Sequence, residues 1–425
     1  MSIPHVTDGE TDLDSALFNP IIDRVNGLAD GAAPIALAGI AGALAEDGRL
    51  ANLSVTYANL RDYGGVSDST TDNSPAFAEA LSEAQIVLVP MSGSPTSYYR
   101  LTEPLEMSQN QAIIGLGGFQ YPGAGLMTRI AGSFAGPLVT GTDAHAVTLR
   151  GIAFGGNPNS ADSEAIEITN GDNWMIEDCS FNQFGGRAIH WVSGSAIRIN
   201  KNNALNCMKV RTGWSDYTGV FDLNGADGMV TQNEVTASMA SGYDTGYICA
   251  LRHNGGNGFY SQNIWEISEH GVYIDPDEGY LTTFINDRAD VNLGHGWIVA
   301  GDKNRFIGCR GYRNSQQTTD TYDHFRVTGT RNLFVACEAD EESTDTKKAK
   351  YALNDQSGAS GATLNRYALN EWRSYATAAA NFSGSSAGYL DLWTQQTITG
   401  SSDSDKIDSI IAALVARGGF VDGTS

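Results

Sequence analysis

The sequence predicts an all-β chain wound as a parallel β-helix (β-solenoid), with a short helical segment at each end. Two observations carry this expectation. From residue 53 to about 375, short Val/Ile/Phe-rich runs alternate with Gly, Asn and Asp turns. Within that stretch a phrase recurs: residues 259–265 (FYSQNIW), 284–290 (FINDRAD), 306–312 (FIGCRGY) and 334–340 (FVACEAD), at steps of 25, 22 and 28. A second phrase lies upstream, at 271–274 (GVYI), 296–299 (GWIV) and 324–327 (HFRV), the last two 10 residues before the next Phe. The same spacing joins 165–168 (AIEI) to 175–181 (MIEDCSF). A period in the low twenties, with two or three short strands per unit, suits coils stacked about 4.8 Å apart. Such stacking puts Phe259, Phe284, Phe306 and Phe334 in one column and Cys309 and Cys337 in register. The LxxLxL pattern of leucine-rich repeats is absent, and a propeller needs a longer, regular blade period.

Three zones follow in order. Residues 1–52 are Ala/Gly/Asp-rich and hold one helical stretch, 13–28, where Leu17, Ile21, Ile22 and Val25 form an apolar stripe and Pro20 marks a kink or break. So short an amphipathic helix needs another chain or a platform to pack against. Residues 53–375 form the body. Its early helical insert is 73–84 (NSPAFAEALSEA), with Ser74 as N-cap, Pro75 at the first helical position, and Ala76, Phe77, Ala80 and Leu81 as the apolar face. Residues 376–425 begin Ala/Ser/Gly-rich and end in a helix over 403–417. There Ile407, Ile410, Ile411, Leu414 and Val415 form the stripe, and Gly418 and Gly419 stop it.

Charge narrows the function. Among 425 residues, 49 acids face 26 bases, for a net charge of -23. A nucleic-acid binder needs a basic face to neutralise phosphates, so no nucleic-acid partner is expected. No apolar run approaches the ~18 residues of a membrane span, so no membrane insertion is expected. The first residues lack the basic head and apolar core of a secretory signal. Cys179, Cys207, Cys249, Cys309 and Cys337 form no CxxC pair, which predicts free buried thiols rather than a zinc site or disulfide scaffold. No metal site or cofactor is expected, with calcium the one candidate ion.

Residues 55–84 (VTYANLRDYGGVSDSTTDNSPAFAEALSEA) are similar to the opening segment of pectate-lyase-like right-handed β-helix proteins. An aromatic-Gly phrase at 62–66 precedes an acidic, Thr-rich turn and a capping helix. A strand ending at Pro90 (IVLVP) follows, and 99–105 (YRLTEPL) leads into the first coils. The likeness covers about 55–370. Residues 1–52, above all 8–19 (DGETDLDSALFN), resemble the particle-attachment segment of phage tail proteins, and 407–420 resembles the short tails of virion proteins. Together these flanks resemble a phage tailspike or tail fibre. The resemblance implies a homotrimer in the virion, joined to a phage tail or baseplate protein through residues 1–52. Acting outside the cell, it would recognise a bacterial surface polysaccharide and depolymerise it by glycoside hydrolysis. A spike that only binds its receptor or builds the virion, and a polysaccharide lyase, are the competing readings.

Glycoside hydrolysis needs a carboxylic acid at the leaving oxygen and a second carboxylate to activate water, about 6.5–9.5 Å apart in an inverting site, a separation that outward-leaning side chains on neighbouring coils provide. The strongest constellation lies at 264–290. Glu266 and Glu269 sit in IWEISEH, and Asp287 and Asp290 in NDRAD. The alignment places Asp287 over Gln262 and Asp290 over Trp265. A DxxD pair falls on opposite faces of a straight strand unless a turn separates the two acids. An acid one coil from a DxxD pair is similar to the arrangement in tailspike endoglycosidases, which implies general acid/base roles for Glu266, Asp287 and Asp290. Trp265, Arg288, Arg310 and Tyr312 are the substrate-binding candidates, with Trp191, Trp214 and Trp297 as further rings able to stack on sugars. A lyase would draw on Arg288, Arg310, Arg313, Tyr312 and His295. Residues 275–278 (DPDE) read as an Asp-Pro turn, with a calcium site or cleft loop as the alternative. Glu338, Asp340, Glu341 and Glu342, beside Lys347, Lys348 and Lys350, read as a solvated charge run. His270 and His295 each precede a Gly and read as a structural pair at a turn.

Overall fold

The computed structural model describes residues 56–382, except 95, 118–126, 211–216, 237–247, 343, 359–362 and 374. The helices expected over 13–28 and 403–417, the attachment segment 1–52 and Trp214 lie outside the described residues.

The body is wound from three parallel sheets of 12, 11 and 11 strands. Sheets I, II and III open at Tyr57–Asn59, Tyr99–Leu101 and Leu105–Glu106. A middle coil shows the path: Thr283–Ile285 in sheet I, Arg288–Asp290 in sheet II, Trp297–Val299 in sheet III, then Arg305–Ile307 back in sheet I. Each strand pairs in parallel with its equivalent one coil away. The chain is therefore an all-β parallel β-helix, right-handed as crossovers between parallel strands are. The last described strand, Ala378–Asn381, pairs with Tyr351–Asp355, so the body runs past the expected limit at 375.

The sheet I strands are short because each three-residue unit needs only its middle side chain inside, whereas sheet III strands turn their first and third residues inward. Tyr260, Phe284, Phe306, Phe334 and Tyr367 supply that position in sheet I, with ring centroids 4.6, 5.2, 4.5 and 5.1 Å apart. This corrects the aligned column by one residue. Phe259 pairs with Thr283, not Phe284, and faces outward. In the adjacent aromatics Phe259 and Tyr260 either could fill the core. Side chains alternate at period two, so the one-residue slip exchanges interior and exterior.

The corner between sheets I and II holds that register. From Met175 onward it is two residues long. The first adopts a left-handed conformation, as at Gln262 (φ 59°), Asn286 (φ 54°) and Ala336 (φ 52°). The second turns inward, and at Asn202, Asn233, Asn263 and Asp287 it builds a ladder. The Asn202 N–H donates to Asn233 Oδ1, Asn233 N–H to Asn263 Oδ1 and Asn263 N–H to Asp287 Oδ1, each at 2.9 Å. The amides of Asn202, Asn233 and Asn263 also donate to the carbonyls of Ile176, Ile199 and Val230 at 2.9, 2.9 and 2.8 Å. The ladder thus satisfies corner groups that no strand pairs, which offsets the cost of left-handed geometry. Similar ladders run through Thr282, Asn304, Asn332 and Asn365 between sheets III and I, and through Ser268, Asn292 and Asn314 between sheets II and III.

Helix α1, Ser74–Glu83, packs beside the first strands, with Phe77, Ala80 and Leu81 buried. Its N-cap is Asn73, not Ser74. Asp72 Oδ1 accepts from the Ser74 N–H and hydroxyl, so the capping carboxylate lies one residue further back. All five cysteines are free and buried. Among the described residues no helix is long and apolar enough to cross a membrane.

Candidate functional site

The residues outside sheet II form two columns. One runs Thr236, Glu266, Asp290, Tyr312, Asp340; the other runs Glu234, Ile264, Arg288, Arg310, Glu338. Glu266 and Asp290 are direct partners on neighbouring coils, so Asp290 stands over Glu266 rather than over Trp265. Glu266 is half-buried, and burial raises its pKa. The Thr236 hydroxyl donates to it at 3.2 Å and opposes the rise, while Glu234 and Asp290 add to it. Burial likewise raises Asp290. Arg288 works against this, donating to Asp290 Oδ2 through Nε at 2.9 Å and Nη2 at 2.5 Å. Asp290 Oδ1 has no hydrogen-bond partner. Arg310 lies 4.1 Å from the Tyr312 ring centroid, and the Tyr312 hydroxyl donates to Glu342 at 2.7 Å.

Higher on the same face the columns carry Ala131, Gly155 and Asn182, and Ala153 and Ser180. These small residues floor a cavity of about 530 Å³ bounded by Tyr98, Arg100 and Arg129. Asn182 leads through Leu205 and Thr236 to Glu266, three coils or about 14 Å along the axis.

Two expected site residues lie elsewhere. Asp287 is fully buried at the inner corner, where it accepts from the Asn263 N–H, the Asn263 amide and Trp265 Nε1. Burial raises its pKa to about 7. It cannot reach a substrate: the turn between Asp287 and Asp290 sends one inward and the other outward. Trp265 fills the core opposite Ala289 and offers no face to a sugar, and Trp191 and Trp297 are buried too.

Other expectations resolve locally. His270 and His295 stack 5.5 Å apart, and the His295 N–H donates to His270 Nδ1 at 3.0 Å, a structural pair. Asp275 closes a turn by accepting the Asp277 N–H at 3.1 Å. Glu341 is not solvated as its charge run suggested. It is buried 3.1 Å from His324 Nε2 and accepts the Ala349 N–H.

The sequence reading missed a charged network outside sheet III. There Glu167, His190, Asp222, Arg252 and Tyr273 stack on successive coils. Arg187 Nε lies 3.3 Å from the buried Asp222, Arg252 Nη1 lies 3.6 Å from it, and Arg252 Nη2 reaches Asp275 at 3.0 Å. Glu164, Glu167 and His190 hold one possible metal-ligand atom each within 4.8 Å of one another. Arg187 Nη1, 3.1 Å from Glu164 and 2.8 Å from His190, already supplies positive charge there. The signal was a column crossing 205–256, where uneven loops hide the repeat.

No protein family matches the chain, and no curated protein matches its sequence. Among solved structures it is similar to the tailspike of Escherichia coli bacteriophage HK620, a mutant in complex with a pentasaccharide. The TM-score is 0.57 and the identity 11%, covering 77% of this chain and 66% of that one. It is also similar to ORF18 of Geobacillus virus E2, with a TM-score of 0.47 and 15% identity, covering 83% of this chain and 65% of that one. A third is the A-module of the Azotobacter vinelandii mannuronan C-5 epimerase AlgE6, with a TM-score of 0.47 and 13% identity, covering 78% of this chain and all of that one. The parallel β-helix is thus the winding found in phage tailspikes. At such identity the likeness is one of fold, and the chain spans about two thirds of the phage chains' length.

Proposed function

We propose that the chain is the body of a phage tailspike or tail fibre, carried in the virion. It binds a bacterial surface polysaccharide along sheet II and hydrolyses it through Glu266 and Asp290. The observation that supports this most is the Glu266–Asp290 pair on the face that also carries the 530 Å³ groove. Glu266, half-buried with a raised pKa, suits the general acid that protonates the leaving oxygen. Asp290, buried on the outer side of sheet II and bonded twice by the more exposed Arg288, is the second carboxylate, which a substrate reaches by displacing Arg288. Facing residues on adjacent strands lie about 4.8 Å apart, which favours the ~5–5.5 Å of a retaining site over the ~6.5–9.5 Å of an inverting one. Arg288, Arg310 and Tyr312 line the approach, and a glycan laid along the axis spans groove and acids within about three sugar units.

Glu266→Gln and Asp290→Asn should each lower glycan cleavage by about 10²–10⁴-fold while leaving glycan binding intact. Asp287→Asn, at the buried corner, should cleave at the parent rate. Normal cleavage by both Glu266→Gln and Asp290→Asn would remove hydrolysis at this pair and leave a spike that binds without cutting.

A further inference from the structure

A second cavity, of about 320 Å³, opens outside sheet III near the C-terminal end of the body, and Arg326, Lys350, His295 and Asn354 line it. Among the described residues neither Arg326 nor Lys350 forms an ion pair, and at longer range both favour the ionised form of the buried Asp323. Arg326 projects from sheet III between Ile298 and Asn354, and Lys350 Nζ lies 5.5 Å from the Tyr351 ring centroid.

His295 shows what the cavity lacks. Its Nδ1 accepts the Asp323 N–H at 2.9 Å, so the proton of the neutral ring sits on Nε2. Burial keeps the ring neutral, holding its pKa well below the usual value. Nε2–H then faces Arg326 Nη1 at 3.5 Å, two donors with no acceptor between them. Beside them, Asp323 is buried. Its Oδ2 accepts the Asn354 amide at 2.9 Å, and its Oδ1 has no partner. Donors meet at one point of the cavity, and a lone acceptor lies covered just beneath its wall.

We propose that this cavity binds a carboxylate-bearing sugar residue of a glycan. The carboxylate sits among Arg326, His295 Nε2–H and Lys350, and a ring hydroxyl donates to Asp323 Oδ1. A bare anion would leave Asp323 unanswered, and a neutral sugar would leave the guanidinium and ammonium unpaired. The chain's net charge of -23 does not forbid an anionic ligand, because at physiological salt charges beyond about 8 Å are screened. The inference extends the glycan reading of the chain but uses a face and residues separate from Glu266 and Asp290.

The test is ligand-observed saturation-transfer NMR and calorimetry on the full chain. The probes are a tetragalacturonate, its methyl-esterified neutral form, and acetate. Expected is binding of the acid at least 10-fold tighter than the ester, lowered at least 10-fold in Arg326→Met and in Lys350→Met. Arg326→Lys should restore part of it, and Glu266→Gln should leave it unchanged. Thermal melts establish that each variant is folded. Equal affinity for acid and ester, undiminished binding in Arg326→Met, or acetate competing as well as the sugar acid would each overturn the site. A chain that cleaves a host glycan yet ignores tetragalacturonate refutes this inference alone. One that binds the acid but cleaves nothing refutes the hydrolytic reading alone.

Discussion

Asp287 is a carboxylic acid standing where the three preceding coils carry asparagine. With its pKa raised by burial to about 7, the folded chain keeps a proton between about pH 4 and 7 that the unfolded chain releases. Stability from this group is therefore full below about pH 4 and falls as pH rises toward 7. His253 and His270 act in the opposite sense. Burial lowers them to about 4 and about 3, so the unfolded chain takes up protons that the folded chain refuses. Their contribution is full above about pH 6.5 and is lost as pH falls. Asp287→Asn should leave stability at pH 4 unchanged and raise it at pH 8 by about 1 kcal/mol or more. It should also uncover a steeper acid loss between pH 6.5 and 4, and urea midpoints at the three pH values check all of this. This residue shows why part of the site was illegible. Sequence shows that Asp287 and Asp290 are both acids. Only the corner between sheets I and II, two residues long, decides that one turns into the core and the other lies on the outer side of sheet II, buried under Arg288. Arg288 and Asp290 could be read as neighbours, whereas the partners of Asp222 lie on separate coils.

The asparagine ladders do for the corners what strand pairing does for the sheets. Removing one rung strands groups on both sides. Asn233→Ala leaves the Asn202 N–H and the Ile199 carbonyl without side-chain partners, both buried between packed coils. At about 1–3 kcal/mol per unsatisfied buried group, the loss should reach several kcal/mol. The urea midpoint should fall far further than for Gln232→Ala, whose side chain lies at the exposed first position of the same corner. The aromatic core was the legible part, because burying one large ring per coil repeats a large burial term at each step and stamps its period on the sequence. The ladders left a weaker mark. Asparagine is also the commonplace residue of solvated turns, so the inward-facing Asn202, Asn233 and Asn263 read like any other punctuation.

The outside of sheet I differs from the other two faces. Met229 and Phe259, exposed by 47% and 37%, are direct partners there, and Ile285, Ile307 and Val335 stack in the next column. Exposed apolar surface of this kind marks a partner surface. We propose that in a trimeric spike it packs against two further copies of the chain. Light scattering should then give three times 45.2 kDa, about 136 kDa. Met229→Asp with Ile307→Asp should reduce that mass toward a single chain without altering circular dichroism. A parent chain that runs as a monomer at every concentration would remove the trimer from the proposal.

From Met175 onward the corner between sheets I and II stays at two residues, while that between sheets II and III stretches from three residues, at 267–269, to twelve, at 313–324. The coils are therefore interchangeable parts. Residues 305–332 begin where Arg305 pairs with Thr283 and end just before Leu333, which pairs with Arg305. A tandem copy of that segment would enter in register and leave in register, lengthening the rod by about 4.8 Å. Loops grafted at the stretchable corner would alter what the rod presents to the outside and leave the winding beneath it untouched.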